Sequence, residues 1–412
     1  MKLLTVDTIE EARKKLLSHA GSWKIPVEEI DITKARGRIL AQDIASDEDI
    51  PSFRRSTVDG YAVISADTSG AGESIPVLLK LLGSVEMGKS SCLNVRNGEC
   101  VYVPTGAMIP DGADAMVMVE YSEVFDNQEI AIYESAASGN HVVCIGEDTK
   151  KGDVLLRKGT KIRSQETGAL AACGIVKVPV YVPLKIAIIS SGDELVAPTV
   201  SPAFGEIRDI NTYALGSLAE ESGFQIVLSQ IVKDDEKLLE EAVKKAVETS
   251  DVVVISGGSS QGAKDMTQEV FSKVSDDGVF THGLAIKPGK PSILGFDKNS
   301  NTILVGLPGH PVSALIVFRV LLTWFVKQLT FQKEPIAFPA KISCNLAGAP
   351  GRTTYQSVAL IQTGSGYIAE PVFGKAGMIS TLTGSHGYVI IDLNKEGLKE
   401  GENVLVYLWS DF

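Results

Sequence analysis

Five polar loops, each following an apolar run, hold most of the chemistry this sequence could do. Ser190-Ser191-Gly192-Asp193-Glu194 follows Ile186 to Ile189, and Asp234-Asp235 follows Val227 to Val232. Ser256-Gly257-Gly258-Ser259-Ser260-Gln261-Gly262-Ala263-Lys264-Asp265 follows Val252 to Ile255. Lys287-Pro288-Gly289-Lys290-Pro291 and Gly306-Leu307-Pro308-Gly309-His310-Pro311 come next, the second at a helix start. Ligands of a doubly wound α/β sheet bind beyond the carboxyl ends of its strands, where these loops fall. Singly, each has an ordinary explanation: Asp-Asp as a helix cap or solvated turn, Gly-Gly-Ser-Ser as a flexible loop, Leu-Pro-Gly as a strand-to-helix turn. Jointly, glycine loops with free backbone N–H groups, helix starts, two lysines and several carboxylates suit a phosphorylated ligand with a divalent cation.

A second concentration is Pro51-Ser52-Phe53-Arg54-Arg55-Ser56-Thr57-Val58-Asp59-Gly60-Tyr61-Ala62-Val63, with two arginines, hydroxyls, an acid and an aromatic. Its plain reading is a solvated loop capped by Asp59. Val103-Pro104-Thr105-Gly106-Ala107, continued by Asp111-Gly112-Ala113-Asp114, and Gly146-Glu147-Asp148 are further candidates, neither specific alone.

The elements that must position these loops change in texture along the chain. Thr8 and Glu11 form a capping box, and Ile9, Ala12, Leu16, Leu17 and Ala20 recur at helical spacing up to Pro26. From Val27 to about Pro183, short β-branched runs broken by Gly and Pro predict a β-rich half, in two pieces because Leu155 to Lys161 and Glu166 to Gly174 read as strand, turn and helix. From Lys185, apolar strands alternate with helical segments at Asn211 to Ser222 and Glu236 to Thr249, which predicts a parallel sheet covered on both faces. Pro311 to Leu329 predicts a helix apolar on nearly all sides, packed at an interface. After Pro335 the alternation predicts a small C-terminal β-domain.

The 412 residues carry 39 Lys+Arg against 51 Asp+Glu, a net charge of −12 that excludes a general nucleic-acid binder. At about 150 residues per domain, the length predicts roughly two to four domains. The start shows no secretory signal, and no stretch reads as the roughly 18 apolar residues of a membrane span, so the cytoplasm is expected and no membrane partner. Five cysteines (Cys92, Cys100, Cys144, Cys173, Cys344) include no CxxC pair, and the five histidines show no metal-ligand spacing, so neither a disulfide framework nor a zinc site is indicated.

The ordered motifs PSFRRSTVDGYAV, VPTGAMIPDGADAMVMVE, GED, SSGDEL, GEIRDIN, ISGGSSQGAKD, AIKPGKPSILG and GLPGHPVSA resemble the molybdopterin molybdenumtransferases, the molybdenum-cofactor insertases that include gephyrin's C-terminal domain. The resemblance implies an elongated homodimer of four domains. These are a linking domain (27–45 and 149–182), a β-rich domain with the Asp-Gly-Tyr-Ala loop (46–148), a molybdopterin-binding-like α/β domain (1–26 and 183–330) and a C-terminal β-barrel (331–412). It implies an active site between the α/β domain of one subunit and the β-rich domain, apparently of the other. The reaction implied is insertion of molybdate into adenylylated molybdopterin, with Mg²⁺-dependent release of AMP and possible contact with the molybdopterin adenylyltransferase.

Carried over residue by residue, the resemblance places Asp59, Thr105 and Asp148 among catalytic groups of the β-rich domain, with Glu194 and Asp265 as acidic groups of the α/β domain. Asp59, Glu194 and Asp265 would surround the metal or the attacking water. Ser256, Gly257, Gly258, Ser260, Gly262, Asp234, Asp235, Pro308 and Pro311 would line the cofactor-binding surface, Lys287 and Lys290 would meet phosphate or molybdate, and Arg352 would join from the C-terminal domain. The glycines would let the backbone approach nucleotide phosphates. The sequence also departs from the pattern. Val58 precedes Asp59 where the family usually has Met, and His310 replaces an Asn. Val143 or Cys144, Gln356, Ala263 and Ala376 stand at other polar family positions. An active insertase and a diverged binding or scaffold paralogue are the two readings that follow.

Overall fold

The computed structural model describes residues 6–20, 23–126, 128–257, 261–364, 366–374, 377–378 and 380–409, with backbone alone for 261–265 and 382. The apolar runs of the middle of the chain form a six-stranded sheet: β1 (Leu184–Ser191), β2 (Phe224–Val232), β3 (Val252–Gly257), β4 (Val279–His282), β5 (Ile293–Asp297) and β6 (Thr302–Leu307). Its spatial order is β2-β1-β3-β6-β5-β4. Four strands, β2, β1, β3 and β6, are parallel, as the alternation with helices predicts, and β5 and β4 complete the sheet antiparallel. Only residues 298–301 separate β5 from β6, too few for the crossover that parallel neighbours require.

Burial on both faces explains why these strands read as unbroken apolar runs. In β1, Ile186 and Ile188 enter one core while Ala187 and Ile189 enter the other. Helices α1 (Ile9–Ala20), α2 (Asn211–Glu221) and α5 (Pro311–Phe318) cover the first face; α3 (Glu236–Val247) and α4 (Gln261–Val274) cover the second. The capping box of α1 forms as expected: Thr8 N donates to Glu11 Oε2 at 2.8 Å and Glu11 N to Thr8 Oγ1 at 3.2 Å.

Helix α5 runs on through a π turn at Arg319–Thr323 into α6 (Trp324–Leu329). The whole segment Pro311–Leu329 has mean hydropathy 1.6 and is long and apolar enough to cross a membrane, which corrects the expectation that no stretch qualifies. It is a core helix here, with 67% of its apolar window buried inside the protein. Arg13 of α1 ties the π turn down: its Nε donates to Val320 O at 3.0 Å and its guanidinium lies 4.6 Å from the Trp324 ring centroid. Burial lowers the Arg13 pKa from its ordinary value.

The β-rich region forms a second six-stranded sheet, in spatial order Ala115–Met118, Gly60–Val63, Glu99–Val103, Val77–Ser84, Glu129–Ile132 and Ser122–Asp126, with an apolar cluster on each face. Gly60 is fixed by close strand approach, since a Cβ there would lie 2.0 Å from Val117 O. Val27–Asp31 pairs with Lys177–Tyr181 beside the helix Ser164–Ala172, over a small core of Leu40, Ile162, Leu170, Val178 and Val180. Five C-terminal strands, Thr353–Thr363, Gly366–Pro371, Ala337–Ile342, Asn403–Leu408 and Gly387–Ile391, close into a barrel because the last pairs with the first.

Candidate active site at the strand ends

β1 lies between β2 and β3, so the chain leaves the carboxyl ends of β1 and β3 toward opposite sides and opens a crevice there. A cleft of about 210 Å³ occupies it, lined by Ser191, Glu194, Asp209, Asn211, Ser256 and Gly257, with Gly309, His310 and Pro311 from the entry to α5. The sequence motifs after β1, β3 and β6 therefore meet, as the strand-end argument requires.

Buried hydrogen bonds fix the floor of this cleft. Ser190, at 0% exposure, donates from Oγ to Asp209 Oδ1 at 3.1 Å and lies 2.8 Å from Thr212 Oγ1. Ser191 Oγ donates to Asp234 Oδ1 at 2.6 Å. Asn211 Nδ2 donates to Ser256 Oγ at 2.7 Å and to Gly309 O at 2.8 Å, tying the end of β3 to the entry of α5 through the first residue of α2. Asp209 Oδ2 and Asn211 Oδ1 are buried and have no hydrogen-bond partner. Buried acceptors without partners are uncommon and call for an explanation.

Asp209 and Asn211 belong to the GEIRDIN motif, yet composition and loop position give neither a role. The available signal is a short polar pair at a helix entry, which reads first as an N-cap. Asp209, one residue before the N-cap Ile210, does accept from Thr212 N at 3.2 Å, but only one of its two oxygens is used in this way.

Gly257 departs from its expected reason. A Cβ there would stand 2.3 Å from Ser191 O on the neighbouring strand, so strand packing already demands glycine before any phosphate is considered. Asp234 and Asp235 also separate: Asp234 holds Ser191, whereas Asp235 caps α3 by accepting from Leu238 N at 3.0 Å. Pro308 contributes its carbonyl to Ser256 Oγ at 3.4 Å. Glu194 is exposed at the cleft mouth, and its carboxylate makes no hydrogen bond or ion pair among the described residues. His310 takes the N-cap position of α5, makes no side-chain cap bond and faces the cleft. Gly258 and Ser260 lie outside the described residues, and Gly262 and Asp265 are described only as backbone in the first turns of α4.

Lys287 and Lys290 are exposed and do not line this cleft. Ile286 and Lys287 instead pair in parallel with Thr353 and Thr354, which places the Lys-Pro-Gly-Lys loop beside exposed Arg352 at the seam with the barrel. A third group forms in the β-rich region. Asp59 Oδ1 accepts from Thr105 N at 2.8 Å, Ser56 N donates to Ala107 O at 3.1 Å, and Thr57 N donates to His141 O at 3.0 Å. Asp148 N donates to Ile50 O at 3.1 Å, on the segment that precedes this loop. Asp59, Thr105 and Asp148 are all exposed, and none lines the α/β cleft of its own chain. Arg54 is committed to Ala113 O and Pro110 O, which leaves Arg55 as the exposed cation of that loop. Asp114 is structural: burial would raise its pKa, but hydrogen bonds from Ser65 N–H and O–H outweigh it and hold the carboxyl below its ordinary value.

Comparison with known proteins matches this arrangement segment by segment. Residues 7–174 match the MoeA N-terminal region (domain I and II), residues 187–328 the probable molybdopterin binding domain, and residues 339–409 the MoeA C-terminal region (domain IV). A molybdopterin molybdenumtransferase of Haemophilus influenzae is 32% identical over 404 residues, covering 97% of this chain and 98% of that one. The chain belongs to the MoeA family of molybdopterin molybdenumtransferases. A crystal structure of a molybdopterin biosynthesis MoeA protein from Pyrococcus horikoshii superposes with a TM-score of 0.79 at 36% identity, covering 99% of this chain and 100% of that one. A molybdopterin molybdenumtransferase of Staphylococcus aureus is 28% identical over 405 residues, 97% of this chain and 95% of the relative. In MoeA terms, the cleft is lined by the stretch matched by the probable molybdopterin binding domain, with Gly377 added from the C-terminal match. The Asp59 cluster lies within the N-terminal match, and Arg352 within the C-terminal one.

Proposed function

We propose that this MoeA-family transferase of molybdenum cofactor biosynthesis inserts molybdate into adenylylated molybdopterin, with Mg²⁺-dependent cleavage of the pyrophosphate link and release of AMP. It would act as a cytoplasmic homodimer, with substrate handed on by a molybdopterin adenylyltransferase. The observation that carries this reading is the polar cleft at the sheet's switch point, lined, Gly377 apart, by the stretch matched by the molybdopterin-binding model.

The size of the cleft supports a shared site. Its roughly 210 Å³ falls below the ~300–1,000 Å³ common for sites that enclose a drug-sized ligand. One end of a pterin nucleotide fits, and the rest needs another wall. The exposed Asp59–Thr105 group, which does not line its own chain's cleft, would supply that wall from a second copy. The donor set suits magnesium in one respect only. Among the described residues, no three His, Cys, Asp or Glu side chains form a cage, but exposed Glu194 matches the one or two carboxylates with which Mg²⁺ binds alongside substrate phosphates. When bound, Mg²⁺ would neutralise charge on the pyrophosphate oxygens.

The chain's own residues bind and orient. Gly257 and the α5 entry turn backbone toward the cleft, and a helix start favours an anion. Asp59 and Asp148 would position the attacking water, with Lys287, Lys290 and Arg352 offsetting anionic charge in a chain of net charge −12. The test is AMP release from adenylylated molybdopterin by the purified protein with Mg²⁺ and molybdate, together with reconstitution of an apo-molybdoenzyme. Release that requires molybdate, with reconstitution, is expected. Tight nucleotide binding without release would replace the insertase with a binding paralogue.

A further inference from the structure

Asp209 and Asn211 present two acceptors that nothing in the protein uses. Asp209 is 3% exposed; its Oδ1 accepts from Ser190 Oγ and Thr212 N, and its Oδ2 has no partner. Asn211 is 8% exposed, and its amide orientation is fixed because Nδ2 faces two acceptors, Ser256 Oγ and the Gly309 carbonyl. That leaves Asn211 Oδ1, an acceptor, unpaired. Both residues line the same cleft.

We propose that Asp209 and Asn211 take the hydrogen-bond-donating edge of the substrate and thereby turn its phosphates toward Gly257 and the start of α5. The inference rests on the function proposed above and adds an orientation to it. Phosphate, pyrophosphate and molybdate oxygens are acceptors at neutral pH, so they leave Asn211 Oδ1 unpaired and are repelled by the Asp209 carboxylate. Among the substrate's own groups, only a hydrogen-bond donor satisfies both. A pterin offers its ring N–H and 2-amino group; a nucleotide offers its 6-amino group or ribose hydroxyls. The adjoining lining has the complementary character: backbone at Gly257, next to Ser256, and the start of α5, which favours the anionic part.

Asp209→Asn separates this from a structural role. It keeps an Oδ1 acceptor for Ser190 and Thr212 and replaces Oδ2 with an amino group, so shape is conserved while an acceptor becomes a donor. Binding of adenylylated molybdopterin, AMP, 6-hydroxymethylpterin and inorganic pyrophosphate is titrated with both proteins. Loss of a hydrogen bond to a charged group predicts about 10- to 100-fold weaker binding of adenylylated molybdopterin, with pyrophosphate unchanged or tighter. Weakening confined to AMP places the nucleoside at Asp209, and weakening confined to the pterin places the pterin there. An equal loss for pyrophosphate, or no loss for any probe, overturns the proposal.

A ligand-side test on the unsubstituted protein is independent of how the variant folds. Purine riboside 5′-phosphate, 2′,3′-dideoxy-AMP and a pterin lacking the 2-amino group are compared with their parents, and one is expected to bind about tenfold worse. If all three match their parents, the proposal fails. If the unsubstituted protein does not bind adenylylated molybdopterin, the function itself fails. Tight binding that Asp209→Asn leaves intact overturns the orientation alone.

Discussion

Gly257→Ala tests whether the glycine loop after β3 owes its composition to the fold or to the ligand. An alanine Cβ would stand 2.3 Å from Ser191 O and 2.9 Å from Ser191 Cβ, and the colliding atoms belong to a buried neighbouring strand, with no flexible side-chain tip to yield. Reaching even 3.0 Å from that oxygen requires 3.0 − 2.3 = 0.7 Å of movement at the Ser191–Gly257 rung between two central parallel strands. Overpacking of this kind costs about 1–3 kcal/mol, and loss of the last ladder bond adds about 0.5–1.5 kcal/mol. The expected destabilisation is therefore about 2–4 kcal/mol. With a urea slope near ~2 kcal/mol/M, the transition that includes the α/β sheet should move down by about 1–2 M. Trp23 and Trp324, both packed against that core, report it by fluorescence. The measurement is made without ligand, because a glycine kept only for phosphate approach would leave ligand-free stability unchanged while abolishing pyrophosphate binding. A ligand-free midpoint that stays put would refute the packing argument.

Asp59→Asn retains an acceptor for Thr105 N, now 2.8 Å from Asp59 Oδ1, so melting should be unchanged while molybdate-dependent AMP release falls by about 100-fold or more; normal turnover would remove Asp59 from the site. Lys287→Ala, at an exposed position, should weaken pyrophosphate and molybdate binding more than it lowers thermal stability, and the reverse pattern in melts and titrations would mark Lys287 as structural. Cys100 is 0% exposed and burial pushes its thiol up to about 12. The unfolded chain ionises this group near ~8.5. Its contribution to stability is therefore complete below that pH and is lost as pH rises toward about 12. Cys100→Ala should flatten the fall in urea midpoint between pH 8 and pH 10, and an unchanged slope would exclude Cys100 as its source.

The sequence made the α/β core legible because two-sided burial forces unbroken apolar strands, and it made the site's address legible because polar loops then fall at the strand ends. The α1 cap was readable from Thr8 and Glu11 alone, since both of its bonds are local. Asp209 and Asn211 were not readable as site residues, because their unpaired oxygens arise only from burial between α2, β3 and the entry of α5. Gly257 looked like a phosphate-loop residue, and the contact that demands it comes from Ser191, 66 positions earlier in sequence. Strand β5 shares the apolar composition of its parallel neighbours, so its direction was set by the four-residue connection to β6 at 298–301 rather than by residue type. Helix Pro311–Leu329 does pack at an interface, since Arg319 donates to Trp409 O of the barrel, but its all-round apolarity could not tell that contact from the core it also fills.

The hydroxyls at the strand ends constrain how the proposed reaction proceeds. Ser190, Ser191 and Ser256 would be the obvious nucleophiles of such a cleft, yet each is already committed across loops: to Asp209 and Thr212, to Asp234, and to Asn211 and Pro308. Ser190 and Ser191 do donate to carboxylates, Asp209 and Asp234, but all three serines are buried, at 0%, 5% and 1% exposure, and Ser256 donates only to a carbonyl. On the proposed reading, water rather than a protein hydroxyl attacks the pyrophosphate, and the serines hold three loops in one geometry. The exposed ionisable side chains lining the mouth are Glu194, Arg208 and His310, and Arg208 Nε donates to Pro198 O at 3.1 Å. Turnover then depends on the arrival of the second wall carrying Asp59 and Thr105, and the binding of a substrate end and its hydrolysis become separable by mutation: Asp209→Asn acts on the first and Asp59→Asn on the second.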